Sequence, residues 1–579
     1  MKLRITYILI LMLTLTFAAD AQRKKKDSKK PAKTSVNKKT VKKPAPKQTV
    51  KVKVKDSVDL KAATIEIVQS YKPEVKQATK PEAAADLPPV DTAILPMNYD
   101  VPAQSLYYTY NATPLRPLAL GKDTLKEQFL NYVKLGGGNL STLFLDAGFA
   151  GLKGRNYYTL FNVRHLSQSG SLLHQKSSMS GFNGDGIYKG ENLIWHAGLG
   201  VDYNKFNLYG YDNQVYNYTA SQVALNYTAL NITIDAANRE EQRLSYHPYI
   251  NGRRYGLNNG STPNISLSEY QLDVRLPFRY TIDTTLQLGL AVNGMVSQAA
   301  TSMGALSKGN NIFQLSPSVE YKKGLFSVYA ALSPTWGLGG NSYLLPDIRV
   351  SYNLIRSSQF MIVAGWTGRL RQNRFEELAA INPYTQPIRT INQTHSDEIY
   401  GSLQTNIGKH ITVSGRVSYW QYDNMPLFIN DTAFDNKYFM VNYDGVNAVS
   451  LQGGLRYTVG QTLSVGGSII YTTYDADINR YAWHEPSLKL NADVMIRPMP
   501  KLLITGYLSV LDGMYAVDKA NRSIKLPTVF DLGAGAEYSF IPRLSAFARV
   551  NNIFNNQYER WYGYRTYGFN IFGGLRLKF

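Results

Sequence analysis

Residues 571–579 read I-F-G-G-L-R-L-K-F and end the sequence on phenylalanine. Most apolar residues of this stretch fall on one face, whereas Arg576 and Lys578 fall on the other. This period of two suits a β-strand with one lipid-facing side and one wet side. We therefore predict the last strand of a bacterial outer-membrane β-barrel, which the barrel-assembly machinery recognises by its terminal aromatic residue. The residues of this assembly signal are Gly573, Leu575, Leu577 and Phe579.

The same alternation occurs upstream, in residues 488–497. Apolar residues occupy the even positions, and Lys489, Asp493 and Arg497 lie among the odd ones. Inward-facing charges would destabilise the core of a soluble β-sandwich, but they suit a water-filled lumen. The pattern therefore favours an all-β, transmembrane antiparallel barrel over a soluble sandwich.

Short turns and long loops alternate along the chain from Lys153 onward. Short turns are predicted near Lys153, Asn204, Asn238, Asp283, Lys322, Arg356, Lys409, Gly460, 498–500 and Pro542. Long loops are predicted near 167–190, 212–219, 254–264, 298–310, 335–342, 370–394, 423–445, 475–484, 512–527 and 555–564. Such a division is typical of outer-membrane barrels, and it predicts about 22 strands with both termini in the periplasm.

The first 21 residues predict a secretory signal peptide. Lys2 and Arg4 precede an apolar stretch at 5–17, and A-D-A at 19–21 fits a cleavage site. The apolar stretch is too short for a signal anchor, and no later stretch predicts a membrane-spanning helix. The chain contains no cysteine, which excludes a lipoprotein anchor and disulfides.

A basic tail follows the signal peptide. Fifteen Lys or Arg residues lie between Arg23 and Asp56, against two aspartates, so this tail carries most of the net charge of +21. We predict that residues 22–56 form a disordered, Lys/Pro-rich periplasmic arm with a reach of ~100 Å. The arm either binds the cell wall or other envelope proteins, or it only keeps a linker soluble. Its positive charge does not indicate nucleic-acid binding. Residues 57–130 predict an extended, Pro-rich segment, periplasmic or lumenal, and residues 131–579 the barrel.

The region of the last two strands resembles a known family. Residues 546–558 read A-F-A-R-V-N-N-I-F-N-N-Q-Y and precede W-Y-G-Y at 561–564. This resembles the C-terminal end of TonB-dependent receptors, where an Asn-Leu/Ile-Phe-Asn element precedes the last strand. Those receptors carry a folded plug, whereas only residues 57–130 are available here. The chain is therefore similar to barrel-only, plug-lacking members of the Bacteroidetes type.

The resemblance implies a TonB-type energy-coupling protein as a partner. A TonB box is a short strand that pairs with the edge of its partner's sheet. The alternative is a solvated linker, because five β-prone residues after a flexible tail arise easily by chance. The box-like residues are Thr64, Ile65, Glu66, Ile67 and Val68.

The sequence contains no recognisable catalytic pattern. None of the seven histidines lies beside a serine in a nucleophile elbow, and neither H-E-x-x-H nor Cys/His metal spacing occurs. The cluster H-S-D-E at 395–398 fits a solvated strand end better than a catalytic site. We therefore predict that the protein is not an enzyme and takes no cofactor and no metal.

Two predicted loops are candidates for recognition. Loop 370–394 mixes arginines with aromatic residues, and loop 423–445 contains M-P-L-F-I at 425–429, which should not remain in water. The apolar run could cover the barrel mouth, dock a partner or pack against a neighbouring loop. The aromatic residues at 558–564 are predicted to form an interfacial girdle. The candidate recognition residues are Arg371, Arg374, Phe375, Tyr384, Arg389, Pro426, Leu427 and Phe428.

Two functions remain open for a barrel that is embedded in outer-membrane lipid. The first is transport or reception of a solute across the outer membrane, through a lumen lined by residues such as Lys489 and Arg497. The second is a non-transporting structural or assembly scaffold, in which the barrel is an anchor and the basic arm and loops dock partners or cell wall. A barrel of this size would leave the membrane leaky, so loops, a partner or residues 84–130 must fill it.

Overall fold

The computed structural model describes residues 130–238, 243–260, 265–302, 304–305, 309–354, 360–387 and 391–579. The predicted signal peptide, the basic arm, the box-like residues 64–68 and Arg389 lie outside these residues.

The described chain forms an all-β barrel of 22 antiparallel strands. The strands are β1 Tyr132–Gly138, β2 Thr142–Lys153, β3 Tyr157–Ser169, β4 Lys176–Lys189, β5 Leu193–Asn207, β6 Ala224–Asn238, β7 Leu244–Tyr246 with Tyr249–Asn259, β8 Ser266–Thr281, β9 Leu286–Thr301, β10 Ile312–Lys323, β11 Phe326–Trp336, β12 Ser342–Asn353, β13 Phe360–Arg371, β14 Thr394–Ile407, β15 Ile411–Asn430, β16 Phe439–Val459, β17 Leu463–Ala476, β18 Leu488–Met499, β19 Leu502–Asp512, β20 Val529–Ile541, β21 Leu544–Asn551 and β22 Asn570–Lys578. Each strand pairs with the next, and β1 also pairs with β22, from Tyr132 opposite Lys578 to Gly138 opposite Phe572, which closes the barrel.

Smaller elements lie in the connections. Two short hairpins pair Tyr515–Val517 with Ser523–Lys525 and Glu559–Trp561 with Tyr564–Arg565. Helix α1 spans Phe375–Ile381. The remaining elements are the two-residue strand Gly304–Ala305 and the 3₁₀ turns Leu338–Gly340 and Thr432–Phe434. No helix among the described residues is long and apolar enough to cross a membrane.

The side chains alternate between an apolar outer face and a polar lumen, as the sequence predicts. In β22, Leu575 is 55% exposed and Phe579, just after the strand, is 50% exposed, both on the outer face. Arg576 points the other way and lies 3.2 Å from Glu537 of β20, which also contacts Lys134 of β1 at 3.4 Å. Apolar groups that are exposed on the outside while ion pairs form inside indicate a barrel that contacts lipid.

Two of the predicted connections between β3 and β6 are wrong, whereas the long loop near 212–219 is confirmed. Residues 176–189 form strand β4 instead of part of a long loop, and Asn204 lies inside β5 instead of in a turn. The glycines, serines and asparagines of 176–189 favour a loop locally. Pairing with β3 on one side and β5 on the other satisfies their backbone groups and overrides that preference.

The predicted loop 423–445 is also mostly strand. β15 continues to Asn430 and β16 begins at Phe439, so the two strands form one long hairpin. A membrane crossing takes only ~9–11 strand residues, so the outer half of the hairpin projects past the membrane. The register shifts between Tyr422 and Met425, where Asn424 has a φ of 59°. Such a bulge bends a strand pair, and beyond it Phe428 and Phe439 of this hairpin pack against Trp561.

Candidate functional site: a folded cap over the barrel mouth

Three loops from separate parts of the ring meet at one point. Residues 208–223 connect β5 to β6, residues 372–393 connect β13 to β14, and residues 552–569 connect β21 to β22. Eight, eight and six strands separate these connections around the barrel. Because all three lie at the same end and approach from three sides, their meeting point lies across the mouth. We call this assembly the cap.

A triad of tyrosines marks the meeting point of the three loops. The ring centroids of Tyr384 and Tyr564 lie 3.7 Å apart in a stacked arrangement. Tyr209 packs edge-on against both, at 4.9 Å from Tyr564 and 5.9 Å from Tyr384. Burial raises the pKa of the Tyr384 and Tyr564 hydroxyl groups well above the ordinary value. All three rings therefore remain neutral and fill the centre of the cap.

The first and third loops also touch through their backbones. A Cβ atom at Gly563 would lie 2.9 Å from the carbonyl oxygen of Gly210, and Gly563 has a φ of +83°. Both the conformation and the close approach favour glycine. The Tyr564 hydroxyl then donates to the carbonyl of Lys437, in the turn between β15 and β16. The third loop is thus joined to the first loop and to the tip of the long hairpin.

The cap has a hydrophobic core of its own. The ring centroid of Trp561 lies 5.2 Å from that of Phe428 and 5.7 Å from that of Phe439. Both phenylalanines lie near the tip of the long hairpin. Trp561 and Tyr564 are only 6% and 2% exposed. The predicted interfacial girdle is therefore wrong, because the last loop folds back over the mouth and buries these rings. The buried members of this core are Leu208, Tyr211, Val223, Leu225, Tyr227, Tyr255, Leu257, Leu267, Phe375, Leu378, Ala379, Phe428, Tyr438, Phe439, Trp561 and Tyr564.

Helix α1 ties the cap to the lumen wall formed by β7 and β8. The carboxylate of Glu269 in β8 accepts the backbone N–H groups of Phe375 and Glu376, both at 3.1 Å. These are donors that the first helical turn leaves unpaired, and an anion there is favourable. Phe375 is fully buried against Tyr255 of β7, and Arg253 of β7 lies 3.2 Å from Glu376. The loop from β13 therefore reaches past the neighbouring strands to contact β7 and β8.

A buried histidine joins a further loop, residues 477–487 between β17 and β18, to the cap. The Nδ1 atom of His484 lies 2.9 Å from the carbonyl oxygen of Phe428, and its Nε2 atom lies 3.3 Å from the backbone nitrogen of Tyr562. A carbonyl only accepts and a backbone N–H only donates, so the proton sits on Nδ1 and the ring is neutral. Burial, followed by the charge of Arg560, lowers the pKa of His484 to about 3, against the opposing hydrogen bond to Phe428.

The structure brings most of the candidate recognition residues into the cap interior. Arg374, Phe375, Leu427 and Phe428 are buried, and Tyr384 belongs to the central triad. Arg374 contacts both Glu376 and Glu377 of α1, at 3.3 and 2.7 Å. Arg371 is exposed and Pro426 is half-buried. Leu427 packs with Ala482 and Trp483, so the apolar run lies against neighbouring loops.

Ion pairs line the lumen below the cap. Asp493 contacts Arg456 of β16 at 2.9 Å, and Lys489 lies 3.8 Å from Glu485. Arg497 donates to the carbonyl of Gln461 at 3.4 Å. No group of three or more His, Asp or Glu side chains in the described part of the chain is placed to hold a metal ion. The lumen is therefore polar and charged.

Comparisons with known proteins agree on the fold. No family model and no curated protein matches the sequence. The FrpB iron transporter from Neisseria meningitidis matches with a TM-score of 0.62 and 11% identity, over 79% of this chain and 82% of that chain. This chain has the fold of outer-membrane transport barrels.

Two further solved structures support that assignment of fold. The outer membrane transporter YddB from Escherichia coli matches with a TM-score of 0.57 and 11% identity, over 78% of this chain and 81% of that chain. The ferripyoverdine receptor of the outer membrane of Pseudomonas aeruginosa matches with a TM-score of 0.55 and 12% identity, over 78% and 72%.

Proposed function

We propose that this protein is a TonB-dependent-receptor-like barrel of the plug-lacking type that moves or receives a solute across the outer membrane, with the cap as its gate. The observation that carries the proposal is the tyrosine triad, where loops from three sides of a polar lumen meet. A lumen lined by ion pairs suits a hydrophilic solute. The fold shared with outer-membrane transporters supports this function.

The proposal includes an orientation and partners. The short-turn end, with both ends of the barrel chain, faces the periplasm, because long loops of such barrels are extracellular. The segment Thr64–Val68 then reaches an energy-coupling protein, and the basic arm reaches the cell wall. Strand β22 and Phe579 serve as the signal for the barrel-assembly machinery, since the outer face that they share is apolar.

The packed core of the cap supports a second candidate function. A mouth closed by sixteen buried residues fits a permanently sealed barrel that acts as a structural or assembly scaffold. In that case the cap and the basic arm dock partners, and no solute passes. The two functions differ in one respect that can be measured, which is whether the cap opens.

Single-channel recording of the mature protein in planar bilayers tests the gate. The chain has no cysteine, so a Tyr209→Cys, Tyr384→Cys double variant can be joined by a short cleavable bifunctional maleimide at these positions alone. A gated pore predicts brief openings that disappear on cross-linking and return on cleavage. A scaffold predicts no openings in any of the three states.

Energy coupling needs its own test in cells. Deleting residues 57–68 should abolish solute uptake while the amount of folded barrel in the outer membrane stays the same. Replacing the same residues with a Gly/Ser linker of equal length is the control for length. If the linker variant supports uptake as well as the natural sequence, residues 64–68 are not a coupling segment.

A further inference from the structure

A cavity on the lumen wall lies apart from the cap core. It has a volume of about 600 Å³ and is formed by lumen-facing residues of six adjacent strands, β10 to β15. Pockets for small molecules commonly fall between 300 and 1,000 Å³. The cavity is open to the lumen, so a solute that passes the gate would meet it.

Two ion pairs form the rigid sides of this cavity. Arg349 contacts Asp347 with two nitrogens, at 3.0 and 3.2 Å. The Nε atom of Arg416 lies 3.1 Å from Glu398, a buried residue of β14. Each guanidinium also covers a tyrosine ring, with Arg349 at 4.4 Å from Tyr329 and Arg416 at 3.5 Å from Tyr400. These two arginines are therefore already neutralised and held in place.

Arg369 differs from the other two arginines. It lines the same cavity and is exposed to the lumen, and it forms no ion pair or hydrogen bond with the residues that the structure describes. Three guanidinium groups thus face two carboxylates in this cavity. One positive charge remains uncompensated, and it belongs to a side chain that is free to bind an anion.

A buried hydroxyl group lies beside Arg369. Thr367, two residues earlier on the same face of β13, is 8% exposed, and its Oγ1 atom has no hydrogen-bond partner within the described ranges. A buried hydroxyl without a partner is unfavourable. A ligand oxygen in the cavity would supply that partner. Across the cavity, the hydroxyl groups of Ser333 and Ser316 lie 2.9 Å apart and add further polar lining.

We propose that this cavity is a binding site for a small, hydroxylated monocarboxylic acid of the sugar-acid class. The carboxylate binds Arg369, and a hydroxyl or carboxylate oxygen binds Thr367. A single negative charge matches the single uncompensated positive charge. A phosphate dianion would leave one negative charge without a partner, because Arg369 is the one guanidinium of this cavity that is not already paired, so a monoanion is the better fit. The inference rests on the proposed function, because the lumen must be the path of the solute.

Calorimetric titration of the purified full-length protein in detergent tests this site. The probes are gluconate, uncharged glucose and glucose 6-phosphate. We expect gluconate to bind at least tenfold more tightly than either of the others. Arg369→Gln should weaken gluconate binding by at least tenfold, and Thr367→Val by a smaller factor of about three to ten, since it removes one neutral hydrogen bond.

The matched control is Arg549→Gln. Arg549 faces the lumen from β21, is also exposed, and lies outside the cavity. This variant removes the same charge from the lumen and should leave gluconate binding unchanged. Equal weakening by Arg369→Gln and Arg549→Gln would show a diffuse charge effect and overturn the site. Equal binding of glucose and gluconate, or tighter binding of glucose 6-phosphate, would also overturn it.

The binding test separates this inference from the proposed function. Binding in detergent requires no transport. A protein that binds gluconate but never opens in bilayers would therefore support the binding site and contradict the gate. A protein that opens in bilayers but does not bind gluconate would support the gate and contradict the binding site. Unchanged heat-modifiable mobility on gels confirms that each variant contains a folded barrel.

Discussion

Glu269 of β8 accepts the backbone N–H of Phe375 at 3.1 Å, although the loop that contains Phe375 is carried by β13 and β14. A second N–H, that of Glu376, reaches the other carboxylate oxygen at the same distance. A strand residue thus performs the capping role that a residue of the helix itself would ordinarily perform. This relationship makes the closed position of the cap depend on one buried carboxylate.

We expect Glu269→Ala to loosen helix α1 without unfolding the barrel. Loss of two charge-assisted hydrogen bonds in a buried position should lower the local free energy of opening by about 2–4 kcal/mol. Hydrogen exchange of residues 375–381 should then accelerate, while exchange in β18 stays unchanged. Glu320→Gln is the control, because Glu320 also lines the lumen but pairs with Lys322 at the short-turn end. Unchanged exchange in α1 would show that the helix does not depend on Glu269.

The tyrosine triad yields a second prediction. Tyr564→Ala removes the ring that stacks on Tyr384 and leaves a void in the cap, at a cost of about 3–5 kcal/mol. We expect more frequent openings in planar bilayers. Tyr188→Ala is the matched control, since Tyr188 is exposed on the outer face of β4. If neither variant opens more often in planar bilayers than the natural protein, the triad does not hold the mouth closed.

Much of the barrel follows from sequence patterns, and the cap shows why the rest does not. Alternation in residues 571–579 and 488–497 predicts that both segments are strands and which of their side chains face outward. The reason is that successive side chains of a strand point to opposite faces of the sheet. The position of Tyr564 depends on loops that are eight and six strands away around the ring. No local pattern contains that information. From the sequence alone, the same aromatic residues are as consistent with an interfacial girdle as with a buried position in the cap.

The wrong prediction for β4 has a related cause. Its sequence K-S-S-M-S-G-F-N-G-D-G-I-Y-K is rich in turn-forming residues. The neighbouring strands supply hydrogen bonds on both edges and hold it extended. The role of His484 cannot be predicted from sequence either, because a lone histidine in a loop has no motif. Its importance arises from two backbone groups, of Phe428 and Tyr562, that only the folded loops bring to it.

A third prediction compares two glycines. Gly563 and Gly324 both have a positive φ, of +83° and +63°, but only a Cβ at Gly563 would meet a neighbour, the carbonyl of Gly210. Alanine at either position should cost about 1–2 kcal/mol for the left-handed conformation. Gly563→Ala should carry an additional cost and open the cap, as seen in faster exchange of residues 208–223. If Gly324→Ala has the same effect on those amides, contact between the two loops is not the cause.

The fourth prediction is that acid opens the cap through His484. In the closed cap the pKa of His484 is about 3, against 6.5 for a free side chain. Above pH 6.5 the ring is neutral in both states, and the cap has its full stability. As the pH falls from 6.5 toward 3, the open state binds a proton that the closed state excludes. The free energy of closing should then fall by roughly 1.4 kcal/mol per pH unit.

The structural reason for this dependence lies in the contacts of His484. A proton on Nε2 would face the backbone N–H of Tyr562, and Arg560 adds a positive charge that donates to the His484 carbonyl. The charge that opposes these is Glu485, the next residue and the main carboxylate near Arg560. Protonation of His484 therefore places the Nε2 donor against the N–H donor of Tyr562 and separates residues 552–569 from the loop that contains His484.

Exchange of residues 552–569, measured from pH 7 to pH 4 and corrected for intrinsic rates, tests the prediction. We expect a steep loss of protection below pH 6.5 in the natural protein and a flat profile in His484→Leu. His410→Leu is the control, because His410 is exposed in a short turn and bonds only to the carbonyl of Thr458. A loss of protection that persists in His484→Leu would assign the acid response to the cap carboxylates, such as Asp431, instead.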